Sequence, residues 1–367
     1  MGYESNFKSV IATQLTMSET SLERLLDRFQ KICQDQPVEM PAARFKSYAV
    51  SNFRGGIGKS TLAFNLAWEI SRGTKALFFD VCPQANFTQS LISEVPAGSP
   101  TIYDAILSRL MPGTDKPKID DLLIAVAPHC DSFKGGQSPM LVSGAKELFL
   151  LPSILYTQIN TTSQIPPDKA KKAMKGILTC LKDLAEELRK VYQFSKILTD
   201  TSPFFGGGTH LAWELAEALI IPVRVDQHSM EALRLTLEML RNKSMDFLRM
   251  NSAADIKTVP KVHAIAMTHC GWNRQAEFTP DRSTQAYLGK VCEIANEYSD
   301  LFSDPDPLKC IHLLDDFHSA GRISGTQRTP LAKLTVGDTF VISGQRLKVN
   351  ISLTRYQKEI RALASTL

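Results

Sequence analysis

No run of about 18 consecutive apolar residues occurs in the 367-residue chain, so no segment reads as a membrane-spanning helix. The opening residues, Met1-Gly-Tyr-Glu-Ser-Asn-Phe-Lys8, lack the apolar core of a secretory signal. Gly2 with Ser5 and Asn6 does not fit a myristoylation signal. Cysteine is sparse and dispersed: Cys33, Cys82, Cys130, Cys180, Cys270, Cys292 and Cys310 include no C-x-x-C pair. That spacing excludes a disulfide framework and a zinc cluster and offers no pair to bridge an iron–sulfur cluster. It points to free thiols in a reducing cytoplasm. Charge of one sign is scarce too, since a net +4 is too little to argue for a nucleic-acid partner.

With 43% hydrophobic and 22% charged residues, the chain is long enough for one large α/β domain with additions, or for two smaller ones. Charge is unevenly spread. From His318 to Leu367 there are eight Lys and Arg against two acids, a local +6 that leaves −2 on everything before it. A basic tail on a near-neutral body suits either a polyanion-binding face or an ordinary solvated surface.

The most informative stretch is Phe53-Arg54-Gly55-Gly56-Ile57-Gly58-Lys59-Ser60-Thr61. A buried strand is expected ahead of it, over 46–52. Behind it Leu62, Phe64, Leu66, Ala67 and Ile70 follow helical spacing. Strand, glycine-rich turn and helix form the setting in which backbone N–H groups and a helix N-terminus close around phosphate oxygens. Lys59 would then neutralise the β- and γ-phosphates and Ser60 would ligate Mg²⁺. The general pattern G-x-x-x-x-G-K-[ST] wants glycine at 53, where Phe53 stands; a basic residue, Arg54, instead precedes the glycine pair.

Two further strands end in an acid. Lys75-Ala-Leu-Phe-Phe-Asp80 runs on into Val81-Cys-Pro-Gln-Ala-Asn-Phe-Thr88, and Ser195-Lys-Ile-Leu-Thr-Asp200 is followed by Thr201-Ser-Pro203. The second has the Walker B form, whose carboxylate holds Mg²⁺ directly or through water. Together these stretches resemble the ParA/MinD family of deviant Walker A ATPases, which carries K-G-G-x-G-K-[ST], D-x-D-P-Q-x-N and D-T-P-P. Asp80, Pro83, Gln84 and Asn86 match; Arg54 replaces the signature lysine, Cys82 the second aspartate, and Ser202 the first proline. The resemblance extends from about 46 to 270 and thins afterwards.

The resemblance implies an α/β fold with a doubly wound, mostly parallel sheet and helices on both faces, the P-loop NTPase fold of deviant Walker A type. It implies ATP with Mg²⁺. Gly55, Gly56, Ile57, Gly58, Lys59, Ser60 and Thr61 would surround the phosphates, and Ser60, Asp80 and Asp200 the metal. Arg54, Lys59, Asp80, Cys82 and Asp200 form the expected catalytic set, with Arg54 reaching the partner's nucleotide in an ATP-bound homodimer. A neutral thiol at Cys82 is a poor acceptor for the attacking water, so slow hydrolysis is expected unless Asp80 or another group positions the water. The family further implies non-specific double-stranded DNA, a ParB-like adaptor, no membrane, and a cytoplasmic, nucleoid-associated location. Arg322, Arg328, Arg346 and Lys348 are the expected DNA contacts. The alternatives are an ATP-bound switch acting through a protein partner and a MinD-like membrane positioner.

Residues 1–44 read as an extension with one amphipathic helix, opened by Thr20 and Glu23 and carrying Leu22, Leu25, Leu26, Phe29 and Ile32; residues 1–17 should be loosely ordered. Residues 45–367 then form the ATPase domain, with 304–367 its less typical segment. Further strands are expected at Leu122–Ala127, Leu148–Ser153, Leu219–Val223 and Val262–Thr268, within a loop-like 112–139 for the first. Helices are expected at 101–107, at 168–193 with a lysine-rich first half, from Ser229 to about Phe247, at Gln285–Tyr298 and at Leu353–Leu363. A hairpin about Gly344-Gln345 is expected within Thr335–Ser352.

Overall fold

Near-continuous apolar strands need cover on both faces, and the chain supplies it by alternating strands with helices. The computed structural model describes residues 20–162, 164–273, 278–315 and 317–367; residues 1–17 lie outside these. Helix α1 (20–33) leads to β1 (Ser47–Val50), α2 (Lys59–Gly73), β2 (Ala76–Asp80), α3 (Asn86–Ile92) and α4 (Ile102–Leu110). Next come β3 (Ile124–Ala125), β4 (Met140–Val142), α5 (Leu151–Thr162), α6 (Pro167–Tyr192) and β5 (Lys196–Asp200). The chain continues through α7 (Gly207–Leu215), β6 (Ala218–Arg224), α8 (Gln227–Arg241), α9 (Asp246–Ala253), β7 (Lys261–Cys270) and α10 (Arg282–Glu297). It closes with β8 (Ile311–Asp315), α11 (His318–Gln327), β9 (Thr339–Ile342), β10 (Gln345–Lys348) and α12 (Leu353–Ala364).

Eight strands form one sheet in the order β3-β4-β2-β5-β1-β6-β7-β8, parallel throughout except for the antiparallel edge pair β3–β4. Period-two alternation divides the strand side chains between two faces. Tyr48, Val50, Phe78 and Leu198 pack beneath α2, α11 and α12. On the other face Ala49, Leu219 and Ile265 meet α1, α8 and α10, while Leu77, Phe79 and Ile197 meet α4 to α7. The expected doubly wound fold is the observed one.

Several local expectations fail for identifiable reasons. Leu148–Ser153 is not a strand: Leu148 lies in a short 3-10 turn and α5 starts at Leu151. Leu148, Leu151 and Leu155 are buried while Phe149 and Leu150 stand in solvent, a helical spacing and not an alternation of two. The core strand of this region is the triplet Met140–Val142. The single helix expected over 229–247 is two, separated where Asn242 accepts hydrogen bonds from the amide and hydroxyl of Ser244. On α6 the buried side includes Leu178, Cys180 and Ala185, whereas Val191, expected inside, is exposed. The hairpin turns at Ser343-Gly344, both with positive φ, one residue earlier than expected.

Within the C-terminal segment two elements were not foreseen. Strand β8, wholly buried, completes the sheet from within the segment that looked least typical, and α11 follows it directly. Helix α1 packs on the body through Leu25, Phe29 and Cys33, with Phe29 stacked on Trp272 at 4.9 Å and Arg28 donating to the Ile311 carbonyl at 2.7 Å. The apolar side of α12 (Tyr356, Ile360 and Leu363) is buried, so it has no free apolar face for a membrane surface. Among the described residues no helix is long and apolar enough to cross a membrane.

Candidate nucleotide-binding site

The site lies at the carboxyl ends of β1, β2 and β5, where parallel strands open toward the loops that follow them. After β1 the chain turns through Gly56 (φ 71°) and Gly58 (φ 86°) into α2. Both angles are left-handed, the conformation that keeps side chains off the loop and leaves its N–H groups free to face an anion. Lys59, at the first turn of α2, is buried, and its Nζ donates to the carbonyls of Asn52 (3.2 Å) and Arg54 (2.6 Å). Burial holds its pKa below the ordinary lysine value, with Asp200 acting in the opposite sense.

Asp80 and Asp200 are paired residues at the ends of β2 and β5, but their surroundings differ. Asp80 is engaged on both oxygens: Oδ1 accepts from the Cys82 amide (3.0 Å), and Oδ2 from the Thr88 amide and hydroxyl (2.8 Å each). Thr88 Oγ1 in turn accepts from the Gly144 amide at 2.9 Å. A Cβ on Gly144 would fall 2.9 Å from the Asp80 carboxyl carbon, so only glycine fits this approach. Asp200 Oδ2 accepts from Ser60 Oγ at 2.6 Å, whereas its Oδ1 is buried without a hydrogen-bond partner. Of the three residues expected at the metal, Ser60 and Asp200 thus offer hard oxygens that fit Mg²⁺, while Asp80 shapes the loop that carries Cys82. Burial raises both carboxyls above the usual range, and the neighbouring charge of Asp80 raises Asp200 further.

Cys82 is buried on the wall of the same cleft, and burial pushes its thiol up to about 12. Gly55 to Thr61 line this cleft of about 1100 Å³. It is also walled by Asp315, Phe317, His318, Arg322, Arg328 and Leu347. Arg54 turns away from it: its guanidinium pairs with Asp226 and donates to Ser229 Oγ at 2.9 Å, at the N-terminus of α8. Asp226 also caps that helix by accepting the Ser229 amide at 2.9 Å.

The four expected DNA contacts do not share one surface. Arg322 and Arg328 belong to the cleft wall, while Arg346 and Lys348 stand exposed on β10. Sequence reasoning missed Thr88, Gly144, Asp226 and the β8–α11 turn, where Phe317 and His318 both have φ 40°. Thr88 alone had a signal, closing the Asp80–Thr88 stretch.

A phosphate-binding loop between a buried strand and a helix, facing two strand-end carboxylates in a doubly wound sheet, defines a P-loop nucleotide-binding protein. Residues 45–250 match a family model described as an AAA domain, and the chain belongs to the ParA/MinD family of partition ATPases. It is 30% identical over 182 residues to maintenance of carboxysome distribution protein A of Gloeothece citriformis, covering 43% of this chain and 70% of that protein. With sporulation initiation inhibitor protein Soj of Bacillus subtilis it shares 24% identity over 197 residues, covering 53% of this chain and 65% of Soj. In structure it is similar to apo McdA of Cyanothece, with a TM-score of 0.61 at 16% identity over 88% of this chain and 98% of that one. That likeness concerns the fold.

Proposed function

We propose that the protein is an ATP-dependent positioning ATPase: with ATP and Mg²⁺ it closes into a homodimer, binds DNA without sequence preference, and releases it when a ParB-like adaptor on the cargo promotes hydrolysis. The observation that carries the nucleotide reading is the unpartnered Oδ1 of Asp200 beside Ser60 Oγ, at the foot of a left-handed glycine loop. These two oxygens would hold Mg²⁺, which when bound offsets phosphate charge. Lys59 is already aimed by two carbonyls of the loop and would exchange them for phosphate oxygens. Arg54 would leave Asp226 to reach the partner's nucleotide, and its planar fork suits phosphate.

DNA contact would come from exposed cations outside the cleft, and the first turns of α6 offer Lys169, Lys172 and Lys175. Binding to phosphates should weaken steeply with salt. Cys82 favours a second reading, a switch that binds ATP, scarcely hydrolyses it and acts through a protein partner, because a buried neutral thiol does not orient water. Duplex binding measured with and without ATP across a salt series separates the two. ATP-dependent, salt-sensitive binding supports the positioning role; ATP binding without any duplex binding sinks it in favour of the switch.

A further inference from the structure

The β9–β10 hairpin presents an outer face that the nucleotide cleft does not use. Register pairs Thr339 with Lys348 and Val341 with Arg346, so these four side chains share one face. All four are exposed, while Phe340, Ile342 and Leu347 pack inward against the body. Val341 (70% exposed) and Ile351 (73%) are the most exposed large hydrophobic residues among the described ones, and Val336 lies in the same segment. Arg346 and Lys348 form no ion pair among the described residues. Asp338, the sole acid between 336 and 351, is turned into the hairpin base, where it accepts from the Thr335 amide at 3.1 Å.

The two strands differ in what their backbones have left to offer. Ser343 and Gly344 form a two-residue turn flanked by Ile342 and Gln345, which makes Val341–Arg346 a non-hydrogen-bonded pair. The amide and carbonyl of Val341 therefore point to the outer edge of β9, and among the described residues this sheet has no third strand. The β10 side is fastened, since Ser319 Oγ donates to the Lys348 carbonyl at 2.8 Å. An exposed edge with an apolar centre and two unpaired cations is a template for an added strand.

We propose that this face docks an extended acidic protein segment. The segment adds to the free edge of β9, lays an apolar side chain against Val341, and sets carboxylates against Arg346 and Lys348. Charge complementarity fixes the sign of the partner, because the face carries cations and no acid. The exposed Val341 at its centre favours protein over a phosphate backbone, which would leave that side chain in water.

The test is fluorescence anisotropy of a labelled peptide alternating glutamate and valine, titrated with the full chain and with two surface variants, Val341→Ser and Arg346→Ala/Lys348→Ala, whose folding is checked by circular dichroism. Binding to the parent, weakened about 10-fold or more by each variant, is the expected result. No binding, or binding indifferent to both variants, overturns the proposal. So does a DNA duplex whose affinity falls with the Arg346/Lys348 pair but not with Val341→Ser, since the face is then a nucleic-acid site. Self-association of the parent that both variants abolish would assign the face to a second copy of the chain and overturn it as well.

Discussion

Asp80 and Asp200 end neighbouring parallel strands in register, and of the two only Asp200 keeps a carboxylate oxygen that nothing else claims. Three donors hold Asp80 in place, so its contribution is to the shape of the Cys82 loop. Asp200 and Ser60 are left as the pair we propose for the cation. This division of labour between two outwardly equivalent strand ends underlies the first prediction.

Both carboxyls are raised chiefly by burial, so the metal-free protein retains protons that free carboxylates would have lost. Because the folded form holds them more tightly than the unfolded chain, this pair's contribution to stability is full at acid pH and declines as pH climbs through the raised values. A cation at Asp200 needs the ionised form, so joint binding of Mg²⁺ and ATP should release a proton near neutrality. Titration calorimetry in buffers of different ionisation enthalpy should give different heats for the parent and equal heats for Asp200→Asn. Equal heats for the parent would refute the assignment.

With its thiol pushed up to about 12, Cys82 is neutral at any physiological pH and a weak acceptor. Cys82→Asp would place an acceptor on the cleft wall, and ATP turnover should rise about 100-fold, the lower end of the range for a positioned base. Cys82→Ser should leave turnover as it is. Unchanged turnover in Cys82→Asp with intact ATP binding would mean that water is oriented elsewhere.

The Arg54–Asp226 pair is partly exposed, each side chain at 28%, so holding Arg54 within its own subunit is worth about 1 kcal/mol or less. Asp226→Asn keeps the helix cap but releases the guanidinium. ATP-dependent dimerisation, followed by sedimentation velocity, should tighten by a factor of up to about 30 in Asp226→Asn, since two such pairs are released per dimer, and disappear in Arg54→Ala. Weaker dimerisation in Asp226→Asn would instead make the pair part of the active arrangement.

Arg355 sits between two buried carboxylates, pairing with Asp315 and lying 3.3 Å from Glu359, with its guanidinium 4.0 Å over Trp272. Removing it leaves the buried Asp315 without its guanidinium, and Arg355→Ala should cost about 3–5 kcal/mol in urea unfolding at neutral pH. Burial raises Glu359 to about 8, so its protonated form favours the fold below the ordinary carboxylate value and that benefit is lost as pH rises toward 8. Glu359→Gln should flatten stability between those limits. A pH profile parallel to the parent's would show that Glu359 is ionised throughout.

Most of the parallel sheet was legible because each central strand is a short apolar run ending in a recognisable acid or turn, a signal carried by consecutive residues. Leu148–Ser153 misled because four adjacent apolar residues fit a strand as well as a helix until burial shows which of them face inward. Strand β8 escaped notice because His312 interrupts its apolar run, and its place at the sheet edge comes from pairing with β7.

What could be read from the chain alone was the phosphate loop, its lysine and serine, and the acids that close β2 and β5. Each of these depends on local spacing, and a turn of three glycines into a helix has few other uses. Folding decided the rest: that Asp80 is occupied and Asp200 is not, that Arg54 is held by a residue 172 positions away, and that Arg322 and Arg328 wall the cleft. These outcomes turn on which distant side chain the fold brings to each donor or acceptor. Hydrogen-bond satisfaction in a buried site is settled by tertiary contacts, which leave no periodic trace along the sequence.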